Sequence, residues 1–132
     1  MKLLLTVALI GLTALPAAAL EPIAQNTAIT GKLVAARIAD RIRRECDRID
    51  ARLIYAYSEA RGLKRDAERM GYSSAQIDAF LDSNSERARI YADAERWLAG
   101  KGAKAGDAAS FCRVGQGEIA AKTYIGSFLR AR

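Results

Sequence analysis

The stretch AARIADRIRRECDRIDARLIYAYSEA, residues 35–60, decides the fold. Ala35, Ile38, Ile42, Cys46, Ile49, Leu53, Ala56 and Ala60 recur at steps of three and four, so at a helical pitch they share one face. An apolar face of that length must be buried, which predicts a long first helix packed into a core. Asn26 or Thr27 is its expected cap, and Gly62 leaves open whether it bends or ends there. Another side of the same helix carries charge. Arg37, Arg41, Arg44, Arg48 and Arg52 fall within roughly an 80° arc of such a helix, and Tyr55 extends the row. Guanidinium groups present paired donors, so this stripe is a candidate grip for an acidic protein surface or anionic lipid headgroups. The plainer reading is a solvated face kept soluble by charge.

Working outward, Leu63 to Met70 forms a shorter helical piece ending at Gly71, a suitable left-handed terminator. Ser73 stands three residues before Gln76, the spacing of a capping box, with Ile77, Phe80 and Leu81 facing inward behind it. The polar run 82–85 either starts a separate helix or is the surface of the same one, after which Ile90, Tyr91, Ala94, Trp97 and Leu98 continue the apolar spacing. Gly100, Gly102 and Gly106 mark a connection, and Asp107 caps an expected last helix running towards Leu129. Gly115, Gly117 and Gly126 within it point either to close helix approach around a disulfide or to a groove left open for a partner. No segment alternates apolar and polar residues between turn signals, so no strand is expected. The fold class is all-α, a small bundle of roughly three to five helices.

The start of the chain sets the expected compartment. Lys2, an uncharged apolar stretch from Leu3 to Leu15, and the small residues Ala17, Ala18 and Ala19 form a cleavable signal peptide over 1–19. The apolar run is shorter than the roughly 20 residues that span a bilayer, and Pro16 ends it. Residues 20–132 then suit a single helical domain, since both prolines of the sequence, Pro16 and Pro22, lie in or beside the leader. Export to the periplasm favours pairing of Cys46, placed mid-way along the first helix, with Cys112, near the start of the last.

The chain contains no histidine, which removes the usual general base and the commonest nitrogen ligand of zinc or copper. Its carboxylates are interleaved with arginine and lysine on predicted helical surfaces. Asp82, Asn84 and Glu86 resemble a calcium loop only superficially, because Arg87 occupies the glycine position. No catalytic residue, metal site, cofactor or small-molecule substrate is expected. The formal charge of +6 suits an anionic partner. An exported chain without nucleic-acid motifs makes a membrane or protein surface the expected one.

The segments 42–46 (IRREC), 71–77 (GYSSAQI) with Phe80 and Leu81, and 111–115 (FCRVG) through Glu118, Ile119 and Ala120 resemble a family of small exported alphaproteobacterial proteins that carry domain of unknown function 5333. The resemblance spans nearly all of residues 20–132. It implies a helical periplasmic protein without known catalysis, similar to accessory subunits on the periplasmic side of the proton-pumping NADH:quinone oxidoreductase. The expected role is therefore a structural or assembly subunit, peripheral to the inner membrane, docked on a respiratory complex. The arginine stripe, Tyr124 and Phe128 are the expected contact residues. A free periplasmic chaperone or stress protein with an exposed apolar groove is the alternative.

Overall fold

The computed structural model describes residues 19–132, so residues 1–18 of the expected leader lie outside it. After a short 3-10 turn, Ile23–Gln25, comes α1, Thr27–Glu45, whose first amides are capped by the Asn26 side chain. A two-stranded antiparallel sheet follows from chain ends far apart in sequence: β1, Ile49–Ala51, pairs with β2, Leu129–Ala131. Between them lie α2 (Leu53–Arg69), α3 (Ser74–Asp82), α4 (Asn84–Gly100), α5 (Ala108–Ala120) and the single turn α6 (Tyr124–Ser127). The protein is thus mainly helical, as its patterning predicts, with one small sheet that the patterning does not.

Two expectations about helix extent are corrected. The apolar row that predicts one helix through Ala60 is divided among α1, β1 and α2. Cys46 is not mid-helix but caps α1 in an extended conformation. The spacing misleads because Ile49 is buried in either geometry; here it enters the core from β1, with 2% of its surface exposed. Pairing with β2 decides the matter: Arg52 N donates to the Phe128 carbonyl at 2.8 Å and Arg132 N to the Arg48 carbonyl at 2.9 Å. Gly62 neither ends nor interrupts a helix, lying inside α2. Likewise the last helix does not reach Leu129. It stops at Ala120, and Lys122, with φ 53°, turns the chain into α6 and β2.

The local punctuation follows the sequence, and the choice left open at residues 82–85 resolves to a separate helix. Ser73 and Gln76 form a reciprocal capping box, Gly71 adopts φ 106°, Ser83 starts α4 as a separate helix, and the Asp107 side chain accepts from Ser110 N. The Ser73, Ser83 and Asp107 caps satisfy amides that a helix start leaves without partners, and Gly71 supplies the left-handed turn after α2.

The main core gathers Ile38 and Ile42 of α1, Ile49 of β1, Leu98 of α4, Phe111 of α5 and Leu129 of β2 around the Cys46–Cys112 disulfide. A smaller cluster of Ile23, Ile29, Ala67, Tyr72 and Ile77 joins the other end of α1 to α2 and α3. α5 approaches closely because residue 115 is glycine: a Cβ there would stand 2.6 Å from Ile42 Cγ2 and from Ile49 Cδ1. Gly126 lies equally tightly on α5, where a Cβ would meet the Glu118 carbonyl oxygen at 2.2 Å. Close approach therefore accounts for two of the three glycines, while Gly117 faces open space. No helix among the described residues is long and apolar enough to cross a membrane.

Candidate docking surface

α1 lies against α4 and α5, but α2 meets it largely through alanines. Side chains that short cannot fill the space between two helices, and a furrow of about 190 Å³ remains. Leu33, Ala36, Ala56, Ala60 and Leu63 line it, with Tyr124, Phe128 and Leu129 from the end of the chain. It continues past Leu33, Ala60 and Leu63 into a second hollow of about 110 Å³ walled by Ile77, Phe80 and Leu81. Lys32, Asp40, Arg43 and Glu59 edge the first section, and Lys64 the second.

One polar pair is built beside the first section. Tyr124 Oη donates to Glu59 Oε2 at 2.9 Å, while its ring meets Phe128 edge-on at 5.1 Å. Burial, and then the hydrogen bond to Glu59, raises the Tyr124 pKa above its ordinary value, because both favour the neutral phenol. Tyr55 supports Phe128 from the other side, edge-on at 5.3 Å.

The arginine stripe does not exist as one row. Arg48 lies in the turn before β1, and Arg52 precedes α2, so neither shares the surface of α1. The three that do are engaged within the fold. Arg41 pairs with Glu45 and with Glu95 of α4, its Nε donating to Glu95 Oε1 at 2.6 Å. Hydrogen bonds to Glu45 and then to Glu95 raise its pKa further. Arg37 donates to Asp40 Oδ2 at 3.0 Å and stacks 3.9 Å from the Tyr91 ring centre, while its buried Nε has no partner among the described residues. Arg44 Nε donates to the same Asp40 oxygen at 2.9 Å. Arg41 and Arg37 thus join α1 to α4, whereas Arg44 pairs only within α1 and stays exposed. Arg52 reaches the Ser127 carbonyl at 3.1 Å and lies over Tyr55.

Of the expected contact residues, Tyr124 and Phe128 are brought to the furrow, with Tyr55 behind Phe128, whereas Arg37, Arg41 and Arg44 lie at the seam of α1 with α4 or beside it. Sequence reading overlooked Ile54 and Tyr57, which protrude from α2. It also placed Leu53 in the core, where the structure leaves it 70% exposed. Their signal was local: Ile54 and Tyr57 are apolar residues outside the three-and-four spacing that defines the predicted core face.

Residues 21–130 match the family of unknown function DUF5333. The chain belongs to that family. The match covers every helix among the described residues of this DUF5333 member, together with the disulfide and the furrow-lining residues. No curated protein and no solved structure matches it. Among the described residues of this DUF5333 chain, no three or more acidic or cysteine side chains group as a metal site would require.

Proposed function

We propose that this protein is a non-catalytic accessory subunit, exported through its leader to the periplasm, which docks on an inner-membrane respiratory complex in a structural or assembly role. Resemblance suggests the proton-pumping NADH:quinone oxidoreductase as that complex. The observation that carries the docking reading is the continuous apolar furrow between α1, α2 and α3. A small domain that already has a disulfide-stapled core leaves a second apolar surface open to water, and such surfaces mark interaction sites. Its dimensions suit side chains from one face of a partner helix. The sequence contains no histidine, the commonest general base, so the proposal assigns the protein no catalytic step.

The test is a mild-detergent pull-down of the tagged protein from native membranes, with co-purifying proteins identified by mass spectrometry. Recovery of respiratory-complex subunits in fixed ratio is the expected result. Recovery of the protein alone, from the soluble periplasmic fraction, overturns it. The same furrow would serve a free periplasmic chaperone, whose signature would be suppression of aggregation of an unfolded client by the protein alone.

A further inference from the structure

The end of the molecule where the β1–β2 sheet passes into α2 combines protruding apolar side chains with unpaired cations. Leu53 and Ile54 occupy the first turn of α2 with 70% and 90% of their surface exposed, and Tyr57, one turn on, is 66% exposed. These are the most exposed large apolar side chains of the described residues. The start of α2 packs on the main core through Tyr55 and Ala56 instead.

Cations surround them. Arg52 directly precedes Leu53, and the Arg61 guanidinium lies 5.7 Å from the centre of the Tyr57 ring. Arg48 is exposed in the turn before β1, and Arg130 is exposed on β2, opposite Asp50 in the ladder. None of these four arginines has a carboxylate within ion-pair distance among the described residues, in contrast to the paired arginines of α1. Asp50, the acid nearest to Arg130 in the ladder, is taken by Arg132 at 2.7 Å, leaving Asp47 as the exposed acid of that turn.

We propose that this end is a membrane-surface anchor, with Leu53, Ile54 and Tyr57 entering the interfacial layer of an anionic bilayer while Arg48, Arg52, Arg61 and Arg130 engage its phosphate headgroups. Protruding apolar side chains ringed by unpaired arginines favour an anionic bilayer, which offers acyl chains and phosphate headgroups over one surface. Tyrosine suits the boundary because its ring is apolar and its hydroxyl reaches water, and unpaired arginines add attraction to an anionic leaflet. Leu53 also lines the furrow, whereas Ile54 and Tyr57 do not, so the anchor borders the furrow. This anchor does not depend on the identity of the docking partner.

The experiment is co-sedimentation of the purified, processed protein with vesicles of phosphatidylcholine alone or mixed with phosphatidylglycerol, at low and high salt. Binding to the mixed vesicles that weakens with salt is expected, with little binding to the neutral ones. Ile54→Ser combined with Tyr57→Ser should weaken it by about tenfold. Arg48→Gln, Arg61→Gln and Arg130→Gln should cost about fivefold for each arginine removed. All five side chains are exposed, so circular dichroism and the intact disulfide should match the parent. Absence of binding to mixed vesicles, equal binding to both kinds, or binding that the Ile54 and Tyr57 changes leave intact overturns the proposal. Should these changes instead abolish recovery of a membrane protein while the parent ignores vesicles, the surface is a protein interface and the lipid anchor is overturned. Vesicle binding without co-purifying subunits supports the anchor and removes the respiratory-complex reading.

Discussion

Tyr124 of α6 and Glu59 of α2, 65 residues apart in the chain, share a 2.9 Å hydrogen bond beside the furrow that both line. Because α2 packs on α1 mainly through small side chains, this bond and the Tyr55–Phe128–Tyr124 aromatic series tie α2 to the end of the chain. The pair therefore joins two walls of the furrow. Tyr124→Phe should destabilise the protein by about 0.5–1.5 kcal/mol in chemical denaturation, the ordinary worth of one such bond.

The same pair predicts a pH dependence at the alkaline end. The folded-state pKa of Tyr124 is raised, so above the ordinary tyrosine value the unfolded chain has lost a proton that the folded chain keeps. The stability contributed is fully present below that value, about 10, and is lost as the pH rises through the folded-state pKa. Denaturation midpoints measured across this range should fall for the parent protein and fall less steeply for Tyr124→Phe.

The disulfide joins residues separated by 66 positions, with Cα atoms 5.1 Å apart. Closing such a loop restricts the unfolded chain, and Cys46→Ala with Cys112→Ala should cost on the order of 4 kcal/mol. Denaturation of the double variant, or of the parent in reductant, measures it. An unchanged midpoint would show that the two cores hold without the staple.

Gly115→Ala inserts a methyl group where Ile42 Cγ2 and Ile49 Cδ1 lie 2.6 Å from its ideal position. Both neighbours are fully packed core side chains, so α5 must shift, at a cost of about 1–3 kcal/mol. Gly117→Ala meets open space and should be neutral or slightly stabilising, by up to about 1 kcal/mol. Thermal melts of the two variants give the comparison.

Arg41 and Arg44 sit less than one turn apart on α1 and should respond differently. Arg41 bridges two carboxylates with 18% of its side chain exposed, whereas Arg44 is 59% exposed and meets only Asp40. Arg41→Gln should cost about 1–2 kcal/mol and Arg44→Gln less than about 0.5. Equal effects in denaturation would mean that Glu95 does not hold Arg41 in solution.

Ala60→Phe tests the furrow. Residue 60 lines both of its sections and is exposed, so a phenyl ring there occupies the space without displacing the core. Stability should change by less than about 1 kcal/mol, while recovery of the docking partner should fall by about tenfold.

Capping signals were legible because they are local: Ser73 with Gln76, Asn26 and Asp107 each satisfy amides within three residues, wherever the helix lies. The division of residues 46–53 was not, because Ile49 and Leu53 fit a helical period as well as a strand followed by a new helix. The stripe of arginines failed for the same reason, since its last two members depended on a helix that stops at Glu45. Of the docking surface, Tyr124 and Phe128 were found as aromatic residues near the end of the chain, but the furrow itself was not. An alanine at a helical interface reads as close packing, and only the distance between α1 and α2 shows that the space was left unfilled.

By itself the sequence determined the helical class, the helix caps and the candidate pairing of two cysteines, since propensity, capping and cysteine chemistry act over a few residues or through residue type. The tertiary structure alone decided where α1 ends, which arginines are neutralised, that residues 49–51 pair with 129–131, and that Leu53, Ile54 and Tyr57 face water. Those outcomes depend on contacts between segments as many as 82 residues apart, such as Asp50 with Arg132, and no local pattern contains the partner that settles them.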